Sequence, residues 1–221
     1  NVHFRRAVMY SIDRATMVAQ RKGEDLKYNC MINAYVPGNF VYLSKEVTVD
    51  INGESVTFPA GTAYGTIRQR QLEADGSTMK TFDEETGLGT GFDGWYNPEA
   101  ANAELAIAIE ELAAQGYEIS AENPVYLDIA SFTGNDSFKN QDQALKQSVE
   151  NVLGGVVIVN IVSCDTQKDW LNATYYPNTG AEMNFNIGNN GGWGPDYGDP
   201  KSYLDTLLPG GNGMTKSFGL F

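Results

Sequence analysis

The run Val156-Val157-Ile158-Val159-Asn160-Ile161-Val162 constrains this chain more than any other, because all of it but Asn160 is β-branched and apolar. On an extended backbone such side chains fall on both faces, and a strand greasy on both faces belongs in a sheet covered by helices. A helical period precedes it from about Gln141 to Leu153, stopped by Gly154-Gly155. The same order occurs earlier. Asn97 as cap and Pro98 at the first helical position open an alanine-rich stretch with Leu105, Ile109 and Leu112 on one face. Gly116 closes it, and Pro124-Val125-Tyr126-Leu127-Asp128-Ile129 follows as a short core strand. Helix, glycine and strand, twice over, predict an α/β fold with helices packed on a sheet.

The flanking segments fit around that unit. Phe4, Ala7, Val8, Ser11, Ile12 and Ala15 recur at three- and four-residue spacing, which predicts one amphipathic helix ending near Arg21 to Gly23. Arg5, Arg6, Asp13 and Arg14 fall on its polar side and read as solvated charge with local ion pairs. Alternating residues on both sides of Asn52-Gly53, over 46–58, predict a β-hairpin with a type I′ turn. Its role is either a small surface elaboration or a partner-binding hairpin. Residues 75–94, rich in Gly, Asp, Glu and Thr, read as a long exposed connection. Asp83, Glu84, Glu85 and Asp93 do not match the spacing of a calcium loop. Further on, Asp165 is expected to cap a helix from Gln167 to Thr174, with Trp170 and Leu171 inward. Met183 to Ile187 is expected to form a strand delivering the chain to a glycine-rich loop.

That loop, Gly188 to Pro200, holds the candidate site. Ligands of open α/β sheets lie beyond the carboxyl ends of strands. Glycines let a ligand approach the main chain, and Pro195 and Pro200 stiffen the path. Asp196 offers an anion to a cationic group, while Trp193 and Tyr197 offer flat apolar walls with one polar atom each. The plainer reading is a tight turn whose aspartates cap the backbone. Asn184, Asn186, Asn189 and Asn190 beside Trp193 also suit a sugar.

Composition removes several functions. Fifteen basic against 28 acidic residues leave a net charge of −13, which repels a polyphosphate backbone, so nucleic acid is not an expected partner. Cys30 and Cys164 form neither a Cys-x-x-Cys pair nor part of a metal cluster. Each reads as a buried free thiol, with a single bridge as the alternative. No cofactor or metal is expected. His3, the only histidine, sits at a helix start, and neither a Gly-x-Ser-x-Gly elbow nor a phosphate loop is present. An Asp196/Asp199 glycosidase pair is the remaining enzymatic reading, and a binding protein is favoured over it. No stretch approaches the roughly 20 apolar residues of a membrane span. With 221 residues and 42% hydrophobic content, one domain is expected.

Three motifs resemble one family. Gly192-Trp193-Gly194-Pro195-Asp196-Tyr197-Gly198-Asp199-Pro200, followed by Tyr203-Leu204-Asp205, is similar to a segment of the oligopeptide- and dipeptide-binding lipoproteins of bacterial ABC importers. Asn1 to Arg14 resembles the helix that begins the family's second lobe. Tyr96-Asn97-Pro98-Glu99-Ala100 resembles a later helix start, with Ala101, Asn102 and Ala103 departing from it. The resemblance implies a type II periplasmic-binding-protein fold: helices on a mixed sheet with a hairpin insertion, residues 1–221 being a single α/β lobe of a larger two-lobed protein. It implies that Asp196 pairs with a peptide's α-amino group, that Trp193 holds the family's tryptophan position, and that Gly194 lies near the ligand main chain, with Tyr197 beside them. Pro195 departs from the small residue of many members and removes a backbone donor. By the same resemblance the parent is a monomeric, extracellular, lipid-anchored protein that hands oligopeptides to membrane permease subunits. A sugar, a nickel complex or a signalling peptide is the alternative ligand.

Overall fold

Two helices meet at a break near the amino terminus of the computed structural model, which describes residues 1–28, 31, 33–85, 94–183, 185–188 and 198–208. Helix α1 (Val2–Ser11) starts at Asn1, whose side chain accepts from the Phe4 amide, and α2 (Arg14–Lys22) starts at Asp13, which accepts from Thr16. The single helix expected from the apolar period is therefore split at Ile12, which is extended at φ −87° and ψ 110°. The physical cause lies elsewhere in the chain. The Ser148 hydroxyl donates to the Ser11 carbonyl (2.5 Å) and accepts from the Asp13 amide (2.8 Å), so a distant side chain satisfies main-chain groups at the break.

The hairpin forms as read. Strands β1 (Val47–Ile51) and β2 (Glu54–Phe58) pair antiparallel around Asn52 (φ 52°) and Gly53 (φ 85°), the two left-handed residues a type I′ turn requires. It is more than a surface elaboration. Ile51 and Phe58 are buried, the Asn52 amide group donates to the Ala74 carbonyl (2.9 Å), and Ala74 ends α3 (Tyr64–Ala74). The connection after α3 is not uniformly exposed either. Thr81 and Phe82 are buried, because the Gln69 Oε1 accepts from the Thr81 amide (2.9 Å) and the Phe82 ring fills space left open by Gly38 and Gly65.

Helix α4 (Pro98–Ala113) has the expected Asn97 cap, accepting from Ala100, and buries Ala101, Leu105 and Ala108. It packs along α1, where His3 Nδ1 lies 2.5 Å from Glu104 and Arg6 lies 3.6 Å from the same carboxylate. Strand β3 (Val125–Phe132), helix α5 (Asp136–Val152) and strand β4 (Val157–Cys164) then form one parallel crossover unit, in register from Val125↔Val157 to Phe132↔Cys164. Helix α5 starts several residues before the expected position because Asn135 caps it, accepting from Ser137 and Phe138. Gly154 and Gly155, at φ 57° and 78°, turn the chain into β4.

One face of this sheet makes the main core. Ile129, Val157 and Val159 pack there with Ala144, Leu145, Val149 and Leu153, each large apolar side chain contributing about 1.5–3 kcal/mol by burial. Among the described residues the other face is covered only toward the carboxyl end, where Trp170 of α6 (Gln167–Thr174) joins Ala130 and Cys164. Tyr126 on that face is 60% exposed and Val162 is exposed, so β4 is not buried on both sides among the described residues. The outer main-chain groups of Val159 are covered by side chains: its amide donates to Glu150 (2.9 Å) and its carbonyl accepts from Lys146 (2.7 Å). Among the described residues the parallel and antiparallel strand pairs thus lie in two separate sheets rather than in one mixed sheet.

Candidate ligand-binding site

The chain approaches the glycine-rich loop along β3. Among the described residues, a single parallel bridge, Ile129↔Ile187, lies where a strand was expected over 183–187. The amides of Asn186 (2.8 Å) and Ile187 (3.1 Å) both donate to the Asp128 carbonyl, and the Asp128 amide donates to the Asn186 side-chain oxygen (2.8 Å) instead of to a backbone acceptor. Here a side chain takes the place of a main-chain partner. Asn160 on β4 donates to the Asp128 carboxylate (3.1 Å), so β4, β3 and the approach segment are tied through one residue. Phe185 packs against the cluster of Ala130, Cys164 and Trp170, whose indole N–H donates to the Ala130 carbonyl (3.1 Å).

The chain leaves the loop through α7 (Pro200–Leu204). Asp199 is its cap, the carboxylate accepting from the Lys201 amide at 2.8 Å. Of the two aspartates weighed as a catalytic pair, Asp199 therefore has a structural partner. Tyr203 of α7 meets Phe40 edge to face, with ring centroids 5.4 Å apart and planes at 68°. Phe40 was not legible as part of this region from sequence, since it lies in an unpatterned segment far earlier in the chain.

Trp193, Gly194, Asp196 and Tyr197 lie outside the described residues, as do Asn184, Asn189, Asn190 and Pro195. Asn186, one of the asparagines considered for a sugar, has its side-chain oxygen engaged by β3. Beside Gly188 a cavity of about 350 Å³ opens between α1 and the approach segment, with Phe4, Val8, Ile12, Trp95 and Ile187 among its walls. Trp95 is fixed by its indole N–H donating to the Met9 carbonyl (2.5 Å), and the Arg14 guanidinium stacks 4.6 Å from its ring centre.

Helix α6 is capped by Thr166, which accepts from the Asp169 amide (3.1 Å), not by Asp165. The Asp165 carboxylate accepts instead from Ser163 (3.1 Å), which draws it back toward the strand end. Cys164 is a buried free thiol, as expected. Burial pushes its ionisation up, and the nearby carboxylates of Asp169 and Asp165 push the same way. Cys30 lies outside the described residues. Among the described residues no group of three His, Cys, Asp or Glu side chains could hold a metal ion, and no helix is long and apolar enough to cross a membrane.

Comparison with known proteins places this arrangement. Residues 1–215 match the family described as "Bacterial extracellular solute-binding proteins, family 5 Middle". The chain is 33% identical to the oligopeptide-binding protein SarA of Streptococcus gordonii, over 99% of this chain and 29% of that protein. It is 30% identical to the oligopeptide-binding protein AmiA of Streptococcus pneumoniae, again over 99% of this chain and 29% of the relative. It thus spans less than a third of the length of these relatives. Among solved structures, the substrate-binding domain of an oligopeptide ABC transporter from Bacillus anthracis superposes with a TM-score of 0.50 at 19% identity, covering 99% of this chain and 31% of that one, which supports the fold. The family is one of solute-binding proteins rather than enzymes, and with nearly the whole sequence matched, this chain belongs to the bacterial extracellular solute-binding proteins of family 5.

Proposed function

We propose that residues 1–221 form one α/β lobe of a two-lobed receptor that captures extracellular oligopeptides for an ABC importer. The observation that carries the reading is the match over residues 1–215, together with relatives named as oligopeptide-binding proteins. In this reading Asp196 receives the peptide's α-amino group, Trp193 and Tyr197 wall the ligand, and Gly194 admits its main chain. Asp199 is engaged as the cap of α7, so the ligand-facing role is given to Asp196. The parent protein is monomeric, is held at the cell surface by a lipid anchor, and delivers its ligand to membrane permease subunits.

An ammonium and a carboxylate enclosed together gain little net energy, but removing one partner strands the other and costs about 3–5 kcal/mol. Asp196→Ala in the two-lobed parent should therefore weaken peptide binding by roughly a hundredfold to a few thousandfold. Isothermal titration with a free-amine peptide measures this directly. Unchanged affinity in the variant sinks the role given to Asp196.

A further inference from the structure

We infer that Phe40 is a positioning residue for the ligand loop: it holds α7 through Tyr203 and so sets where the loop re-enters the fold. The inference rests on the peptide-binding reading above for its functional consequence, but its structural part stands on geometry alone.

Phe40 is itself held on a rigid mount. The segment around it is bonded to residues 61–65 at four main-chain points: Leu43 N–H to Thr62 (2.9 Å), Gly61 N–H to Leu43 (2.8 Å), Tyr64 N–H to Val41 (2.9 Å) and Gly65 N–H to Gly38 (2.9 Å). Tyr42 and Ala63 form an antiparallel bridge within the same strip. Behind it sits the Phe82 ring, in a space where a Cβ on Gly38 would lie 2.5 Å and one on Gly65 2.3 Å from ring carbons. Two glycines, one buried phenylalanine and a bonded strip thus fix the backbone of Phe40, while the residue stays 37% exposed and its ring meets Tyr203. Helix α7 has only five residues, too few to be stable alone, so its position must come from tertiary contact. Its first residue follows Asp199, the end of the glycine-rich loop.

An edge-to-face aromatic pair is worth enough to change a coupled equilibrium about two- to twelvefold. The test uses the two-lobed parent and the variants Phe40→Ala, Phe40→Tyr, Tyr203→Ala and the Phe40→Ala/Tyr203→Ala double. Amide hydrogen exchange of α7 and affinity for a free-amine peptide are both measured. Phe40→Ala should speed α7 exchange and weaken the peptide about two- to twelvefold while exchange in α4 and α5 stays as in the wild type. Phe40→Tyr, which keeps the ring, should restore both, and the double variant should be no worse than the weaker single. Unchanged α7 exchange in Phe40→Ala, or effects that multiply in the double, overturns the inference. If the wild-type parent binds no peptide, the peptide-binding reading fails while α7 exchange still decides the role of Phe40. Phe40→Leu gives the same reading should the alanine variant not fold.

Discussion

Gly65→Ala sets two effects of opposite sign against each other. Gly65 lies in α3 with no positive φ, so helix propensity alone favours alanine by as much as about 1 kcal/mol. The structure predicts the reverse. A Cβ there would stand 2.3 Å from Phe82 Cγ and 2.6 Å from Phe82 Cβ, the stem of the side chain and not a tip that can swing aside. Overpacking of this kind costs about 1–3 kcal/mol, and a contact this short belongs in the upper half of that range. With the propensity gain subtracted, a net loss of about 1–2 kcal/mol remains, enough to raise the open fraction of this region roughly 5- to 30-fold. Hydrogen exchange of the α3 amides in the two-lobed parent reads that factor. The loss should shrink in a Phe82→Ala background, where the contacts with the ring are gone and only the one with Cβ remains. If Gly65→Ala protects α3 in the wild-type background, the packing argument is wrong.

Two further outcomes follow from the site region. Asn186→Ala removes the acceptor of the Asp128 amide and should cost about 1 kcal/mol, seen as faster exchange at Asp128 and its neighbours, whereas Asn186→Asp, which keeps an accepting oxygen, should retain most of the protection. The Cys164 thiol ionises above its ordinary range, so at pH 8 it carries less thiolate than a free cysteine. Alkylation by iodoacetamide should be slow in the native protein, rise with pH, and become fast on unfolding; rapid native labelling of Cys164 at pH 8 would contradict its burial.

What was legible in the sequence was the part fixed by local chemistry. Asn52-Gly53 made its hairpin because those two residues accept left-handed backbone, and Asn97-Pro98 opened α4 because cap and ring suit a helix start. The strands β3 and β4 and the helix α5 between them followed from apolar runs and a glycine stop, while their parallel register did not. What escaped was set by partners distant in the chain. Ile12 lies in an unbroken apolar period, yet the Ser148 hydroxyl at the break divides the helix there. Phe82 sits in an acidic, aperiodic stretch, and its burial depends on two glycines that carry no hydrophobic signal. Asp165 and Thr166 are both good caps by type, and the choice fell to Thr166 because Ser163 engages Asp165. At the candidate site the glycine-rich loop was recognisable from composition. The pairing of Asn186 with β3 and of Phe40 with Tyr203 was not, since neither leaves a local pattern.

Capture of a peptide by its free amine is the role proposed for this lobe. The measurement that meets it most directly is calorimetric titration of the wild-type two-lobed parent with one short peptide, unmodified and N-acetylated. Acetylation removes the positive charge and leaves the main chain and side chains intact. Titrating the free-amine peptide should release or absorb heat, and the acetylated one should bind at least about a hundredfold more weakly, the loss expected when a buried carboxylate is left without its partner. Equal affinity for the two would contradict it.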